Sequence, residues 1–290
     1  MAKFILTAFN PANGHRTRLH YDNATSELTS ESGESLVQAV EVAARANAPA
    51  VSKQTPLAKS SPSMLKISLG LSCNYACEYC SQRFVPRADE TNPGDVQAFV
   101  DGLDSWVTSP PEKVEFWGGE PLVYIKTMRP LAEAIRSKFP NAELSVITNG
   151  SLLNDDINDW LDRMGFSVGI SHDGPGQPVR GPDPLQDPEQ RAAIMALYAR
   201  LAPQRRISFN AMVNRENASR AAIQRFFIEL TGDPAVPIGE GSFVDAYDEG
   251  GIAHSLRPGE LHAYRNLAFH EIRTGQAANV QAVSSKTASF

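Results

Sequence analysis

The chain has 290 residues, 42% of them hydrophobic, and a formal net charge of −6; this is enough apolar material for a full core and predicts one large domain with appendages. An acidic balance without a clustered Lys/Arg face argues against nucleic acid as a partner. The start, Met1 to Pro11, carries too short an apolar run for a secretion signal and no stretch reaches membrane-span length, so no membrane partner is expected and the cytoplasm is the expected compartment.

In chain order, Phe4 to Phe9 and Arg16 to Tyr21 read as strands around the turn-rich residues 10–14, the pattern of a β-hairpin. Asp22 to Glu34 is polar and turn-like, Leu36 to Ala46 has helical apolar spacing, and Ala48 to Ser63 reads as a Pro/Ser-rich linker. Residues 1–62 are therefore expected to form an accessory hairpin and helix.

From Leu65 onward, strand-like runs alternate with amphipathic runs, which predicts an α/β class built on a parallel sheet. The expected strands are Leu65 to Leu71, Lys113 to Trp117, Glu143 to Thr148, Ser167 to Ser171, Ile207 to Val213 and Val236 to Val244. The expected helices are Gly94 to Val107, Ile125 to Phe139, Asn154 to Met164, Pro188 to Leu201, Ala218 to Leu230 and Gly259 to Thr274. This divides the chain into an appendage, a core over 63–245, and a C-terminal helix with a flexible tail over 246–290.

In parallel α/β folds the ligand site lies at the carboxyl ends of the strands. The segments at those ends hold most of the chemistry-bearing residues of this chain. After the first strand come Cys73, Cys77 and Cys80, the only cysteines, in a C-x3-C-x2-C array. Three thiolates on one loop can hold three irons of a cubane cluster and leave the fourth open. Three thiolates with His172 can instead hold zinc. A disulfide framework is disfavoured by the odd count and the very short loops.

After the second strand comes Trp117-Gly118-Gly119-Glu120-Pro121, after the third Thr148-Asn149-Gly150, after the fourth Ser171-His172-Asp173-Gly174-Pro175, with Arg180 in the loop beyond. Glycines at 118 and 119 allow close backbone approach to a ligand, and a carboxylate at 120 suits an ammonium group. Each segment also has a purely structural reading. Glu120-Pro121 can open a helix, Asn-Gly and Asp-Gly are turn pairs, Asn217 can cap a helix, and Arg180 can be a solvated surface residue. Alternation along the fourth strand places Ser171 and Asp173 on one side and His172 on the other, so His172 reads as a packed or hydrogen-bonded residue.

The cysteine spacing, with aromatic Tyr79 before the last Cys, resembles the cluster loop of the radical S-adenosylmethionine (SAM) superfamily. The Gly-Gly-Glu, Thr-Asn-Gly and Ser-x-Asp-Gly-Pro segments resemble motifs of the same superfamily, the last being typical of the peptide- and protein-modifying, anaerobic sulfatase-maturase-like group. The resemblance covers about residues 63–245. It implies a partial (β/α)6 barrel and one [4Fe–4S] cluster on Cys73, Cys77 and Cys80. It also implies SAM chelating the open iron and reductive cleavage to a 5'-deoxyadenosyl radical that abstracts hydrogen from a substrate. By the same resemblance Gly118, Gly119 and Glu120 hold the SAM amino group, Ser171, Asp173 and Arg180 its ribose or carboxylate end, and Tyr79 (through its backbone), Val213 and Asn214 the adenine. The implied partners are a peptide or protein substrate and an external electron donor such as flavodoxin or ferredoxin. Two other readings stay open: a small-molecule or nucleoside-derived cofactor substrate, and a catalytically silent cluster or zinc module that binds a partner peptide. Many relatives add a Cys-rich SPASM domain; this chain has no cysteine after Cys80 to supply a second cluster.

Overall fold

The computed structural model describes residues 3–9, 15–22, 27–36, 59–85, 90–218, 220–243 and 249–266. The chain divides into two compact units, Met1–Ala50 with Leu261–Phe290, and Val51–Glu260. These bounds differ from the expected 62/63 and 245/246. Ser60 donates to the Trp106 carbonyl at 2.9 Å and accepts from Thr108 N at 2.9 Å, and Arg215 donates to the carbonyls of Ala253 and Ser255. Both flanking segments are thus hydrogen-bonded into the larger unit.

In the smaller unit, β1 (Lys3–Phe9) and β2 (Arg16–Asp22) pair antiparallel with Phe4 opposite Tyr21, as the hairpin reading expected. A third strand, β3 (Glu27–Ser30), lies against β2 with Leu28 opposite Tyr21, in a stretch expected to be turn-like. Four residues are too few for alternation to register as a strand in the sequence. The turn after it closes at Gly33, whose φ of +84° favours glycine and whose N–H reaches Ser30 O at 3.0 Å. The expected helix beyond Leu36, most of the linker and the tail lie outside the described residues.

The larger unit is built on six strands in sequential order: β4 (Met64–Ser68), β5 (Lys113–Trp117), β6 (Glu143–Thr148), β7 (Phe166–Ser171), β8 (Ile207–Val213) and β9 (Ile238–Phe243). Every neighbouring pair is parallel. The sequential order is that of a partial (β/α)6 barrel, the α/β architecture expected. Between the strands run α1 (Val96–Gly102), α2 (Ile125–Lys138), α3 (Asp155–Arg163), the single turn α4 (Gln177–Arg180), α5 (Pro188–Leu201) and α6 (Arg220–Thr231); α7 (Glu249–His254) follows β9. Residues 258–266 are helical where a final helix was expected. The helices start where the chain supplies acceptors for free N–H groups: Asn154 accepts from Ile157 N at 3.0 Å, and Asp187 from Glu189 N and Gln190 N, both at 3.0 Å.

Alternation along the strands separates two faces. Leu65, Ile67, Val114, Phe116, Leu144, Val146, Phe166, Val168, Ile170, Ile207 and Phe209 join the helix residues Met128, Leu131, Ile135, Trp160, Leu161, Ile194, Leu197 and Phe227 in one core. Each such side chain contributes about 1.5–3 kcal/mol by leaving water. The intervening residues are polar: Lys66, Glu115, Ser145, Ser208 and Asn210. On this second face the Lys66 ammonium lies 2.7 Å from Glu115 Oε1 and 4.3 Å from the Trp117 ring centroid. Among the described residues no helix is long and apolar enough to cross a membrane.

Candidate active site

The carboxyl ends of β4 to β8 gather the motif residues. The loop after β4 runs alongside the segment after β5: Leu69 N donates to Trp117 O (2.8 Å), Gly119 N to Gly70 O (3.0 Å) and Glu120 N to Ser72 O (3.0 Å). This ladder accounts for the two glycines. A Cβ on Gly118 would lie 2.8 Å from Gly70 O, and one on Gly119 would lie 2.5 Å from both Leu71 O and Ser72 O. The sequence reading assigned the glycines to the approach of a ligand; in the structure the approaching backbone is that of the cysteine loop itself. The base of this loop is clamped by Tyr124, whose hydroxyl accepts from Ser72 N at 2.6 Å and donates to Glu90.

The three cysteines are free thiols, Cys73 exposed and Cys77 and Cys80 half-buried. Cys80 N donates to Cys77 O at 3.1 Å, and Tyr75 N donates to Cys73 Sγ at 3.3 Å. Burial pushes the Cys77 thiol up to about 11, countered by the Arg180 guanidinium and reinforced by the thiolate charges of Cys80 and Cys73. Cys73 is raised by burial and lowered by the Tyr75 N–H, and it too feels Cys80 and Arg180. The three sulfurs therefore share one electrostatic environment. As thiolates they need a positive partner to offset desolvation, which a polynuclear iron centre supplies.

A single-ion site fits less well. Among the described residues no group of three or more His, Cys, Asp or Glu is arranged to hold one metal ion. His172, the fourth ligand of the zinc reading, is fully buried. Its Nε2 lies 2.9 Å from Asp183 Oδ1, its Nδ1 accepts from Gly174 N at 3.0 Å, and its ring stacks on Phe226 at 5.3 Å. With both ring nitrogens engaged, it is the packed, hydrogen-bonded histidine of the structural reading. The donor set fits a cluster held by three thiolates.

Glu120 is 2% exposed and takes the helix-opening role weighed for it in the sequence. Its backbone opens a short 3-10 turn with Pro121 first, and its Oε1 accepts from Leu122 N (3.0 Å) and Thr148 Oγ1 (2.7 Å). Its Oε2 accepts from Asn149 N at 2.7 Å. Burial raises its carboxyl, and the hydrogen bonds from Asn149, Leu122 and Thr148 oppose that. The carboxylate thus ties the end of β5 to the end of β6. Asn149 continues the chain of contacts: its Nδ2 donates to Asn74 Oδ1 at 2.9 Å, and Asn74 Nδ2 donates to Ser151 Oγ at 2.8 Å. Thr148-Asn149-Gly150 is therefore a brace for the cysteine loop as well as a turn. Asn74 and Tyr124 were missed in the sequence, since neither carries a motif signal by itself.

Asp173, Arg180 and Tyr79 form the third cluster. Asp173 has no exposed surface, and the Arg180 side chain is 12% exposed, which overturns the solvated-surface reading of Arg180. The guanidinium meets the Asp173 carboxylate at 2.8 Å and lies 5.7 Å from the Tyr79 ring centroid, while the Tyr79 hydroxyl donates to the same carboxylate. Ser171 ends β7 opposite Asn210, half-buried; among the described residues its hydroxyl makes no hydrogen bond. Val213 and Asn214, which the resemblance placed near adenine, are both buried. Val213 is 1% exposed but lies outside the core cluster that holds Phe209 and Ala211, and Asn214 is fully enclosed. Asn214 forms a capping box with Asn217, whose Nδ2 donates to the carbonyls of Asp173 (2.8 Å) and Met212 (2.9 Å). Only the resemblance placed these two residues near adenine; the pairing of β8 with β9 shifts register between Ala211 and Val213.

The Radical SAM superfamily model matches residues 67–222. The chain is 30% identical over 129 residues to the serine-type anaerobic sulfatase-maturating enzyme of Bacteroides thetaiotaomicron, covering 41% of this chain and 31% of that protein. It is 27% identical over 110 residues to the GTP 3',8-cyclase of Haemophilus influenzae, covering 38% of this chain and 32% of that one. The matches thus span about a third of these relatives' length. Among solved structures, native anSMEcpe with bound AdoMet and the Kp18Cys peptide superposes with a TM-score of 0.53 at 20% identity. That superposition covers 68% of this chain and 57% of that chain, a likeness of fold. With the family model covering more than half of the residues, and the motifs at the ends of successive parallel strands, the chain belongs to the radical SAM superfamily, enzymes that use a [4Fe–4S] cluster and S-adenosylmethionine.

Proposed function

We propose that Cys73, Cys77 and Cys80 hold one [4Fe–4S] cluster, that SAM lies across the ends of β5 to β8, and that the chain modifies a peptide or protein side chain by hydrogen abstraction. When bound, cluster and SAM supply reductive cleavage to a 5'-deoxyadenosyl radical. The protein's own part is to bind, orient and exclude water. Gly118, Gly119 and Glu120 bring the end of β5 against the cysteine loop, leaving their backbone carbonyls as the surface for the SAM amino group. Ser171, whose hydroxyl makes no hydrogen bond among the described residues, and Arg180, whose charge reaches Cys73, Cys77 and Glu120, take the ribose and carboxylate end. Tyr79 supports adenine through its backbone. The observation that carries this reading is the convergence of three thiols, a buried Asp–Arg pair and the Gly-Gly-Glu segment on one loop.

A peptide substrate is favoured by the match to a sulfatase-maturating enzyme. The match to a GTP cyclase supports the second reading, a small-molecule substrate. An external donor such as flavodoxin or ferredoxin and a cytoplasmic setting suit a reduced cluster and free thiols.

The test is anaerobic reconstitution with iron and sulfide, addition of SAM and a strong reductant, and chromatography for 5'-deoxyadenosine. The expected result is about four irons per chain and 5'-deoxyadenosine that disappears in the triple Cys→Ala variant. Failure to assemble a cluster, or cleavage that survives loss of all three cysteines, refutes the assignment.

A further inference from the structure

Asp173 follows β7 with no exposed surface, and its carboxylate takes hydrogen bonds from three separate segments. Oδ1 accepts from Arg180 Nε (3.2 Å), Arg180 Nη2 (2.8 Å) and Met212 N (2.9 Å). Oδ2 accepts from the Tyr79 hydroxyl in the cysteine loop. The backbone completes the tie: Glu78 N donates to Val179 O at 3.2 Å, and the Asp173 carbonyl accepts from Asn217 Nδ2 at 2.8 Å.

A guanidinium offers two edges for paired donation, Nε with Nη2 and Nη1 with Nη2. Asp173 takes the first. Among the described residues Nη1 makes no hydrogen bond, so the second edge keeps one N–H from each terminal nitrogen, the fork that fits a carboxylate bidentately. We propose that Asp173 is a positioning residue: by holding Arg180 along one edge of its guanidinium, it keeps the other edge aimed beside the cysteine loop to receive the carboxylate of an amino-acid-like ligand. This rests on the reading of the site as the SAM site.

The physical advantage is preorganisation. A free Arg side chain loses substantial rotamer entropy when it is fixed. With Asp173 in place that loss falls on folding, and ligand binding is spared it. Asp173 also neutralises a guanidinium that would otherwise be buried alone.

A residue that served only to close the turn would act independently of Arg180, and a double-mutant cycle separates the two roles. The experiment is calorimetric titration of SAM onto anaerobically reconstituted wild type, Asp173→Asn, Arg180→Gln and the double variant, with iron content measured for each. Asp173→Asn is expected to weaken SAM binding by about tenfold or more at unchanged iron content, as the loss of a charge-assisted contact predicts. In the Arg180→Gln background the same change is expected to have no further effect beyond about twofold. Wild-type affinity in Asp173→Asn, or losses that simply multiply in the double variant, overturns the proposal. Should Asp173→Asn fold poorly, Arg180→Gln carries the test, because wild-type affinity there removes the group through which Asp173 acts. A wild type that binds no SAM when fully loaded with iron refutes the site reading itself and is distinguished by that result.

Discussion

Gly119→Ala tests whether the Gly-Gly-Glu segment is shaped by the cysteine loop. The new Cβ would sit 2.5 Å from two backbone carbonyl oxygens, those of Leu71 and Ser72, with Leu71 C at 2.8 Å. None of these atoms belongs to a flexible side chain, so relief requires the two backbones to separate. Separation breaks the hydrogen bonds Gly119 N to Gly70 O and Glu120 N to Ser72 O, both 3.0 Å. At about 1 kcal/mol each, with about 1–3 kcal/mol of overpacking where the loop resists, the expected loss is roughly 3–5 kcal/mol, confined to this loop and its neighbours. Gly102→Ala is the matched control, since its Cβ meets nothing within 4 Å and its φ is −61° in helical backbone; it should be neutral or slightly stabilising. Urea unfolding reads the stability, and the alkylation rates of Cys73, Cys77 and Cys80 in the metal-free protein read the loop geometry without relying on a cofactor. Gly119→Ala should lower the unfolding midpoint and accelerate alkylation of the half-buried thiols. Wild-type values on both measurements would show that the loop accommodates the methyl group, and the account of the two glycines would fail.

Thr148→Val removes one of three donors to the buried Glu120 carboxylate and should destabilise the protein by about 1–3 kcal/mol; urea midpoints check this, and a change under about 0.5 kcal/mol would show that the hydroxyl is dispensable. The metal-free protein should also lose stability between about pH 9 and pH 11. Burial raises Cys77 from 9.0 to about 11, so the folded state holds the proton that the unfolded chain releases; the contribution is full below pH 9 and lost as pH rises through 11. Unfolding midpoints across that range should fall less steeply in Cys77→Ala than in wild type, and parallel slopes would contradict the burial assigned to this thiol.

The βα alternation was legible because most strands combine apolar residues two apart with a β-branched or aromatic composition. Lys113–Trp117, Glu143–Thr148 and Ile207–Val213 have the expected bounds. The β3 strand was not, because Glu27–Ser30 is only four residues long and polar at three of them, so it carries no alternation of its own. Among site residues, the cysteines announce themselves by element and spacing. Arg180 was ambiguous, since a lone Arg in the Pro- and Gly-rich loop from Gly176 to Asp187 reads equally well as solvated. Its burial against Asp173 is a contact between residues seven apart, with Tyr79 ninety-four residues before Asp173 completing it.

The sequence by itself determined the class of fold, the order of the strands in the parallel sheet and the spacing of the three cysteines after β4, because periodicity, residue type and short spacing are local properties of the chain. Which groups answer one another across the strand ends was decided only by tertiary structure. Glu120 reaches Thr148 and Asn149, Asp173 reaches Tyr79 and Met212 N, and both ring nitrogens of His172 are taken up by Asp183 and Gly174. Hydrogen-bond satisfaction of a buried polar group depends on what folding brings within about 3 Å of it, and parallel strands bring together segments that the chain keeps dozens of residues apart.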